Sequence, residues 1–377
     1  MKLADCHNIN DFRKLAKRRL PWPVFDYIDG AADDEVTKAR NVNAFDEVDL
    51  VPNVLAGVAD IDTSRMIMGR KSALPFMLSP TALQRAFHTD GERAVARAAE
   101  KFGIWFGISS LATYSIEEIA ELTSGPKLFQ LYVHKDKGLN NNMIERCKAS
   151  GFDALALTVD TIVSGKRERC LRSGFTTPPR FSASALWSYA TRPHWTLDYI
   201  FGPKFRLPNL DGYVQEGTGK AVSIQDYFNT MLDTNMDWDT AARIRRDWGG
   251  TFVLKGVMSA RDARRAVEIG ADAIMISNHG GRQLDGSRAP FDQLSEIVNE
   301  VGGEIEIILD GGVRRGTHIL KSLSAGATAA SGGRLYLYAL AAAGQPGVER
   351  AVNILKDEIK RGMRLMGVTS LDQLSPG

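Results

Sequence analysis

Eight short apolar runs, most of them followed by a segment of helical periodicity, constrain this chain more tightly than any other feature of its sequence. The runs cover residues 75–82, 104–110, 127–133, 154–160, 251–257, 273–280, 305–312 and 327–333. Between them, residues 91–102, 115–122, 140–150, 260–269, 291–301 and 317–325 repeat apolar side chains at helical spacing. Gly103, Gly151, Gly270 and Gly326 stand at the ends of such segments, where a left-handed residue closes a helix. This order reads as parallel βα units. Eight units can close on themselves, whereas an open doubly wound sheet usually has about five to seven strands and carries its glycine fingerprint after the first. The predicted fold class is therefore α/β, a (βα)8 TIM barrel preceded by an N-terminal helical segment. Barrels of this kind reach 377 residues as one unit, so residues 1–377 are expected to form a single domain.

The spacing breaks once. About ninety residues separate the run ending at Asp160 from the one starting at Thr251, which predicts an insertion after strand four, placed at residues 174–235. The insertion mixes Phe181, Trp187, Tyr189, Trp195, Tyr199, Phe201 and Phe205 with Arg180, Arg192, Lys204 and Arg206. Rings at the headgroup level and cations against anionic lipid suit a membrane interface; a lid or an oligomer contact would use the same aromatics. Elsewhere no stretch of about 18 apolar residues offers a membrane span, and the start of the chain has no apolar signal core. Forty-seven Lys and Arg balance forty-five Asp and Glu to leave +2, so no overall field argues for nucleic acid and any anion site must be local. Cys6, Cys147 and Cys170 form no CxxC pair, which indicates neither a disulfide framework nor a metal site and suits the cytoplasm.

Most of the runs end in polar or reactive residues: Thr81, Ser109, Gln130, Thr158, Lys255, Ser277 and Asp310 among them. Strands also end this way because loops begin there, but the recurrence points to one shared rim, where barrel enzymes work. After strand seven the chain reads Asp310-Gly311-Gly312-Val313-Arg314-Arg315-Gly316, and strand eight reaches Gly332-Gly333-Arg334. Glycine-rich turns with arginine after these two strands are the usual phosphate site of the architecture. The phosphate could belong to a substrate or to a cofactor. Lys255, and the run from Ser277 to Asp285 (SNHGGRQLD), add an ammonium, an imidazole and a guanidinium. Histidine as a residue type titrates near neutrality, so His279 suits proton abstraction, and Arg282 can fork onto a carboxylate. Together they suit a carboxylic acid with an abstractable proton.

These segments, with Phe25-Asp26-Tyr27, Pro80-Thr81-Ala82, Phe129-Gln130-Leu131-Tyr132, Leu157-Thr158-Val159-Asp160 and Arg167-Glu168-Arg169, give the chain a close resemblance to the FMN-dependent L-2-hydroxy-acid oxidases and dehydrogenases. That family includes L-lactate dehydrogenase, glycolate oxidase, mandelate dehydrogenase and flavocytochrome b2. The resemblance implies that FMN is the cofactor, with Pro80, Thr81, Ala82, Ser109, Gln130, Thr158 and Ser277 around its ring. Lys255 would place a fixed positive charge at the flavin N1 and C2 carbonyl edge. Asp310, Gly311, Gly312, Arg314, Gly333 and Arg334 would hold the phosphate. Tyr27, Tyr132, Arg167 and Arg282 would bind the substrate carboxylate and hydroxyl, with Tyr132 and Arg282 counted among the catalytic residues. His279 would be the base, and Asp160 the carboxylate that stabilises its imidazolium.

The implied reaction is oxidation of an L-2-hydroxy acid to the 2-oxo acid. Ala82, where mandelate-type relatives carry glycine, points to a short acid such as L-lactate. The aromatic, basic insertion resembles that of membrane-associated dehydrogenases that reduce quinone, which would put the chain peripherally on the inner face of the cell membrane. An oxygen-dependent oxidase releasing hydrogen peroxide is the alternative, and a non-redox FMN isomerase or a flavin-free binding protein is more remote. A homotetramer is also implied. Three departures stand out: small residues at 329–332 where relatives carry bulky aliphatics, which predicts a looser phosphate loop; an unfamiliar 161–166 segment leading to Arg167; and Cys170 where Asp is common.

Overall fold

The computed structural model describes residues 1–175, 183–203, 205–212 and 230–375. Eight strands form a closed parallel barrel: β1 (Phe76–Thr81), β2 (Phe106–Ser109), β3 (Lys127–Leu131), β4 (Ala154–Thr158), β5 (Thr251–Val257), β6 (Ala273–Ser277), β7 (Glu306–Asp310) and β8 (Ala329–Gly332). Each pairs with its sequence neighbours, and β8 closes the circle on β1. Every strand falls within one of the apolar runs. The register places Thr158 beside Lys255 and Ser277 beside Asp310, so chemically active strand ends lie side by side.

Period-two alternation sorts the strand residues into two cores. Met77, Leu128, Ala154, Ala156, Val253, Ala273, Met275, Ile308 and Ala329 form one cluster, which is the barrel's interior. Trp105 and a small hairpin, Arg65–Ile67 paired with Arg70–Ser72, join it through Ile67 and Met68 and plug the end opposite the rim. The alternate residues, such as Leu155, Leu157, Ile274 and Ile276, belong to the larger outer core beneath the helices. Large and small side chains interleave inside, which fills the space as a packed core.

Two helices that carried no clear periodic signal complete the ring. Trp238–Trp248 follows the insertion, and Arg334–Met366 follows β8 with a kink at Ala343 and Gly344. The N-terminal helices Ile9–Arg19, Trp22–Asp29 and Val36–Asn43 lead into the barrel, and the first packs along Arg334–Met366 through Phe12, Leu15 and Ala16. Capping shifts some bounds: Asp136 accepts bonds from the Gly138 and Leu139 amides, so the helix after β3 starts at Lys137.

The small residues at 329–332 do not leave β8 loose. All four are buried, and a Cβ on Gly332 would strike the Leu335 side chain, so the bulk arrives from the following helix. Gly103, Gly151, Gly270 and Gly326 all have positive φ, as their closing role requires.

Within the insertion, the helices Ala183–Ala190 and Pro193–Phe201 dock on the barrel side. The Trp195 indole donates to the Ala86 carbonyl, and the Trp22 amide to Ser188 Oγ. Arg180, Phe181 and Lys204 lie outside the described residues. Among the described residues no helix is long and apolar enough to cross a membrane.

Candidate active site

The inward alternation ends on a polar residue on every strand: Ser79, Ser109, Gln130, Thr158, Lys255, Ser277, Asp310 and Ser331. They form the topmost layer at the C-terminal ends of the strands. Ser79 and Ser331 escaped the sequence reading, although continuing the alternation from Met77 and Ala329 reaches them. Lys255 Nζ lies 2.9 Å from Asp310 Oδ2 and donates to Ser277 Oγ at 3.1 Å. Ser277 in turn donates to Asp310 Oδ2, while Ser79 and Ser331 donate to Oδ1. Burial works to raise the Asp310 pKa, but Lys255 and the hydroxyls outweigh it and hold the carboxyl far below its usual range. Burial works against the Lys255 charge too, yet Asp310 and Asp160 raise its pKa, so the buried pair is ionised.

His279 sits just past β6 with φ 58°, a left-handed conformation unusual outside glycine and characteristic of strained functional turns. Its Nδ1 is 3.0 Å from Asp160 Oδ1, and Thr161 Oγ1 lies 3.2 Å from Nδ1 while donating to the same carboxylate oxygen. A carboxylate acceptor fixes the proton on Nδ1 and leaves the Nε2 lone pair for chemistry. Burial lowers the His279 pKa against the opposing pull of Asp160. For Asp160, burial is outweighed by His279 and Lys255, and its pKa falls. At neutral pH the site therefore holds a neutral imidazole backed by an anion, which is a base ready to accept a proton.

The rest of the 277–285 run holds this turn in place. Asn278 and Asn41 exchange two side-chain hydrogen bonds of 2.8 Å. Gly281 has φ 74°, and a Cβ there would meet the Lys38 backbone. Gln283 Nε2 donates to the carbonyls of Asp160 and Val163, which fixes the 161–166 path, and Gly165 packs against the Arg282 and Gln283 backbone. Asp285 accepts from the Val36 and Thr37 amides and so caps the helix Val36–Asn43.

A cavity of about 130 Å³ opens among these elements. Tyr27, Tyr132, Arg167, Lys255, His279 and Arg282 line it, together with Pro80, Thr81, Ala82, Ser109, Asp310, Gly311, Gly312, Arg314, Gly333 and Arg334. The Arg282 guanidinium lies 4.7 Å over the Tyr27 ring and donates to the Tyr27 carbonyl at 2.6 Å. Arg167 is buried, with its pKa pushed down to about 10 by burial and by Arg282; it remains charged at neutrality. Two guanidiniums facing one small space beside a tyrosine hydroxyl favour an anion with an adjacent oxygen. Tyr132 keeps its proton, since burial and Asp160 raise its pKa.

Gly311 and Gly312 have φ 142° and 74°, and a Cβ on Gly312 would collide with the Asn41 carbonyl, so only glycine lets this turn pass. Arg314 reaches the cavity and donates from Nη1 to the Val313 carbonyl. Two of the expected phosphate ligands, Asp310 and Arg334, also make bonds within the protein. The Asp310 carboxylate is committed to Lys255 and three serines. Arg334 donates to the carbonyls of Ile28, Gly280 and Gly30, tying the end of the helix Trp22–Asp29 to the His279 turn. Cys170, the departure beside Arg169, is a buried thiol whose pKa is raised by burial.

Gln130 Nε2 and Thr158 Oγ1 are buried and find no hydrogen-bond partner among the described residues. Unpaired buried polar atoms cost about 1–3 kcal/mol each, so a ligand with complementary edges is called for. The carbonyl and N–H edge of a flavin pyrimidine ring has that complementarity, and the glycine turns with Arg314 offer amides and charge to a phosphate.

The sequence profile described as FMN-dependent dehydrogenase matches residues 16–377. An L-lactate dehydrogenase from Alcaligenes faecalis is 40% identical over 372 residues, covering 97% of this chain and 96% of the relative. A glycolate oxidase from Spinacia oleracea is 37% identical over 370 residues, covering 98% and 94%. The crystal structure of monotopic membrane protein (S)-mandelate dehydrogenase superposes with a TM-score of 0.93 at 34% identity, covering 99% of this chain and 98% of that one. With its barrel, its imidazole–carboxylate pair and its paired arginines, the chain belongs to the FMN-dependent dehydrogenase family, enzymes that use FMN to oxidise 2-hydroxy acids.

Proposed function

We propose that this enzyme oxidises a short L-2-hydroxy acid, L-lactate best of all, and delivers the electrons to a membrane quinone. The single observation that carries the chemistry is the His279 Nδ1–Asp160 contact of 3.0 Å next to Arg167 and Arg282. The two arginines bind the substrate carboxylate, and Tyr27 and Tyr132 orient its hydroxyl. Converting CH–OH to C=O releases two electrons and two protons. His279 Nε2 takes one proton, Asp160 stabilises the imidazolium that results, and the second proton would leave with the two electrons to the bound cofactor. FMN, when bound, supplies the two-electron acceptor. Its ring would lie among Pro80, Thr81, Ala82, Ser109, Gln130, Thr158, Lys255 and Ser277, with its phosphate at Gly311, Gly312, Arg314 and Gly333. Lys255, held by Asp310, would then offer the ring a fixed positive charge.

The Ala82 methyl lines the cavity and supports a short side chain on the substrate. Quinone and a peripheral seat on the membrane are supported by the insertion, where Trp187, Leu197, Ile200 and Phe201 are exposed, Trp187 by 73% and Phe201 by 81%. The whole chain acts in this reading as one barrel domain with residues 174–235 inserted, and assembles as a homotetramer.

The test is anaerobic mixing of the yellow protein with L-lactate, glycolate and mandelate, followed by reoxidation with a quinone or with oxygen. Lactate should bleach the flavin fastest and quinone should restore it fastest. Fastest bleaching by mandelate would overturn the substrate, and peroxide formed in step with the oxo acid would overturn the acceptor in favour of an oxidase.

A further inference from the structure

Outside the catalytic cavity, a second one of about 380 Å³ lies between the first helix, the loop after β1 and the insertion. Arg18, Arg19, Arg85, Arg192, His88 and His194 line it, and among the described residues Asp198 is the one acidic side chain in its wall. Among the described residues, neither Arg18, Arg19 nor Arg192 forms an ion pair; Arg192 bonds only to Thr191, and its Nε is buried without a partner. Arg18, Arg19 and Arg192, without ion pairs among the described residues, face one carboxylate and leave a positive excess in a concave space, which focuses the field on an incoming anion. Guanidiniums fork onto phosphate oxygens in particular.

The helix Pro193–Phe201 supplies the second half of the argument. His194, Trp195, Asp198 and Tyr199 turn to the cavity, while Leu197, Ile200 and Phe201, three and four residues apart, are exposed. Trp195 and Tyr199 stack at 5.0 Å between the two faces. One short helix thus presents apolar side chains outward, aromatic rings at its waist and a cationic hollow behind, which is the layering of acyl chains, interface and headgroups.

We propose that this cavity binds the phosphate of an anionic phospholipid headgroup. The proposal deepens, and rests on, the membrane reading above. Phe87 contributes to the walls of both cavities, but no residue assigned to catalysis lines the second one, so turnover with a soluble dye is an internal control.

The experiment uses the full-length flavin-loaded protein, sedimented with phosphatidylcholine vesicles with and without phosphatidylglycerol, and melted with soluble dihexanoylphosphatidylglycerol or inorganic phosphate. The native protein should partition more strongly onto the anionic vesicles. The double variant Arg18→Gln/Arg192→Gln should lose about tenfold or more of that partition, the weight expected of two arginines at an anionic surface. Its binding to neutral vesicles, its melting temperature without ligand and its dye-linked turnover should not move. The short-chain lipid should raise the melting temperature of the native protein and not of the variant.

Unchanged partition of the variant onto anionic vesicles overturns the proposal. Equal stabilisation by inorganic phosphate at matched concentration reassigns the cavity to free phosphate and overturns the lipid source. Loss of quinone-linked turnover alone, with partition intact, reassigns it to the electron acceptor. If Trp187→Ser/Phe201→Ser leaves vesicle binding untouched, the membrane reading fails by itself, and the short-chain lipid still decides the cavity.

Discussion

His279 Nδ1 and Asp160 Oδ1 lie 3.0 Å apart although 119 residues separate them in sequence, and this contact fixes which ring nitrogen can act as the base. His279→Asn should therefore keep the bound flavin and its yellow spectrum while flavin reduction by L-lactate falls about a hundred- to ten-thousandfold. Asparagine suits the test because it tolerates the φ of 58° better than most residues. Stopped-flow absorbance reads both quantities; near-normal reduction would remove His279 from the mechanism.

The same contact sets a pH dependence. His279 must be neutral to act, and burial holds its pKa below the ordinary 6.5 even though Asp160 pulls it up. The acid limb of kcat/KM should thus fall below pH 6.5 in the native enzyme. Asp160→Asn removes the upward pull, so the limb should move further toward acid while the rate drops by at least about a hundredfold, since the imidazolium is no longer stabilised. A limb that moves toward higher pH would contradict this electrostatic order.

Arg282→Lys replaces a fork by a point charge and gives up the planar seat over Tyr27. KM for the acid should rise about ten- to a hundredfold, with kcat moving less, because a bidentate bond to the carboxylate is lost in ground and transition states alike. Steady-state turnover with a dye measures the split. An unchanged KM would place the carboxylate elsewhere.

Asp29 carries a fold-level prediction. It is fully buried and meets Arg13, Arg169, Lys38 and the Tyr338 hydroxyl, holding the helix that presents Tyr27. Burial is outweighed by these partners, and its pKa lies far below the carboxylate range. Its contribution is therefore complete above the unfolded-state pKa and fades as pH falls toward the native one. Asp29→Asn should cost about 1–3 kcal/mol at pH 7, because the buried carboxylate's charge-assisted bonds are lost and Arg13 loses its partner, while Lys38 and Arg169 keep Glu35. Urea unfolding at pH 7 and below pH 4 should show that deficit narrowing in acid; a deficit independent of pH would point to packing instead.

The barrel was legible because each strand couples an apolar run to a polar end, and the 277–285 run because an imidazole and a guanidinium stand together in it. What escaped reading were single hydroxyls and amides whose meaning lies in a distant partner: Ser79 answers Asp310 across 231 residues, and Asn41 answers Asn278 across 237. Thr161 is ordinary in sequence and touches both members of the base pair in space. Arg334 reads as a phosphate ligand from its Gly-Gly-Arg setting; it lines the cavity, and its bonds to three carbonyls of the N-terminal segment and the His279 turn add a bracing role that its setting does not show. The helix Arg334–Met366 was hidden by Gly344 and Pro346, which interrupt its pattern at the kink. Small residues in β8 were misleading for a similar reason, since Leu335 fills the space from outside the strand.

Ala82 turns the cavity's shape into a specificity prediction. Ala82 lines the same cavity as Tyr132, His279 and Arg282, so a bulky substituent on the substrate's α-carbon would compete with its methyl for volume. Removing a methyl from such a wall is worth about 1–3 kcal/mol of discrimination, or roughly ten- to two-hundredfold. Ala82→Gly should raise kcat/KM for mandelate relative to lactate by about that factor. Lactate should lose little, because its methyl is far smaller than a phenyl ring and the arginines still hold its carboxylate. Glycine also loosens the backbone after β1, so the melting temperature and flavin content must be followed alongside. If both substrates decline together with flavin content, the methyl supports the loop; if their ratio stays fixed with flavin fully bound, substrate length is read at another wall.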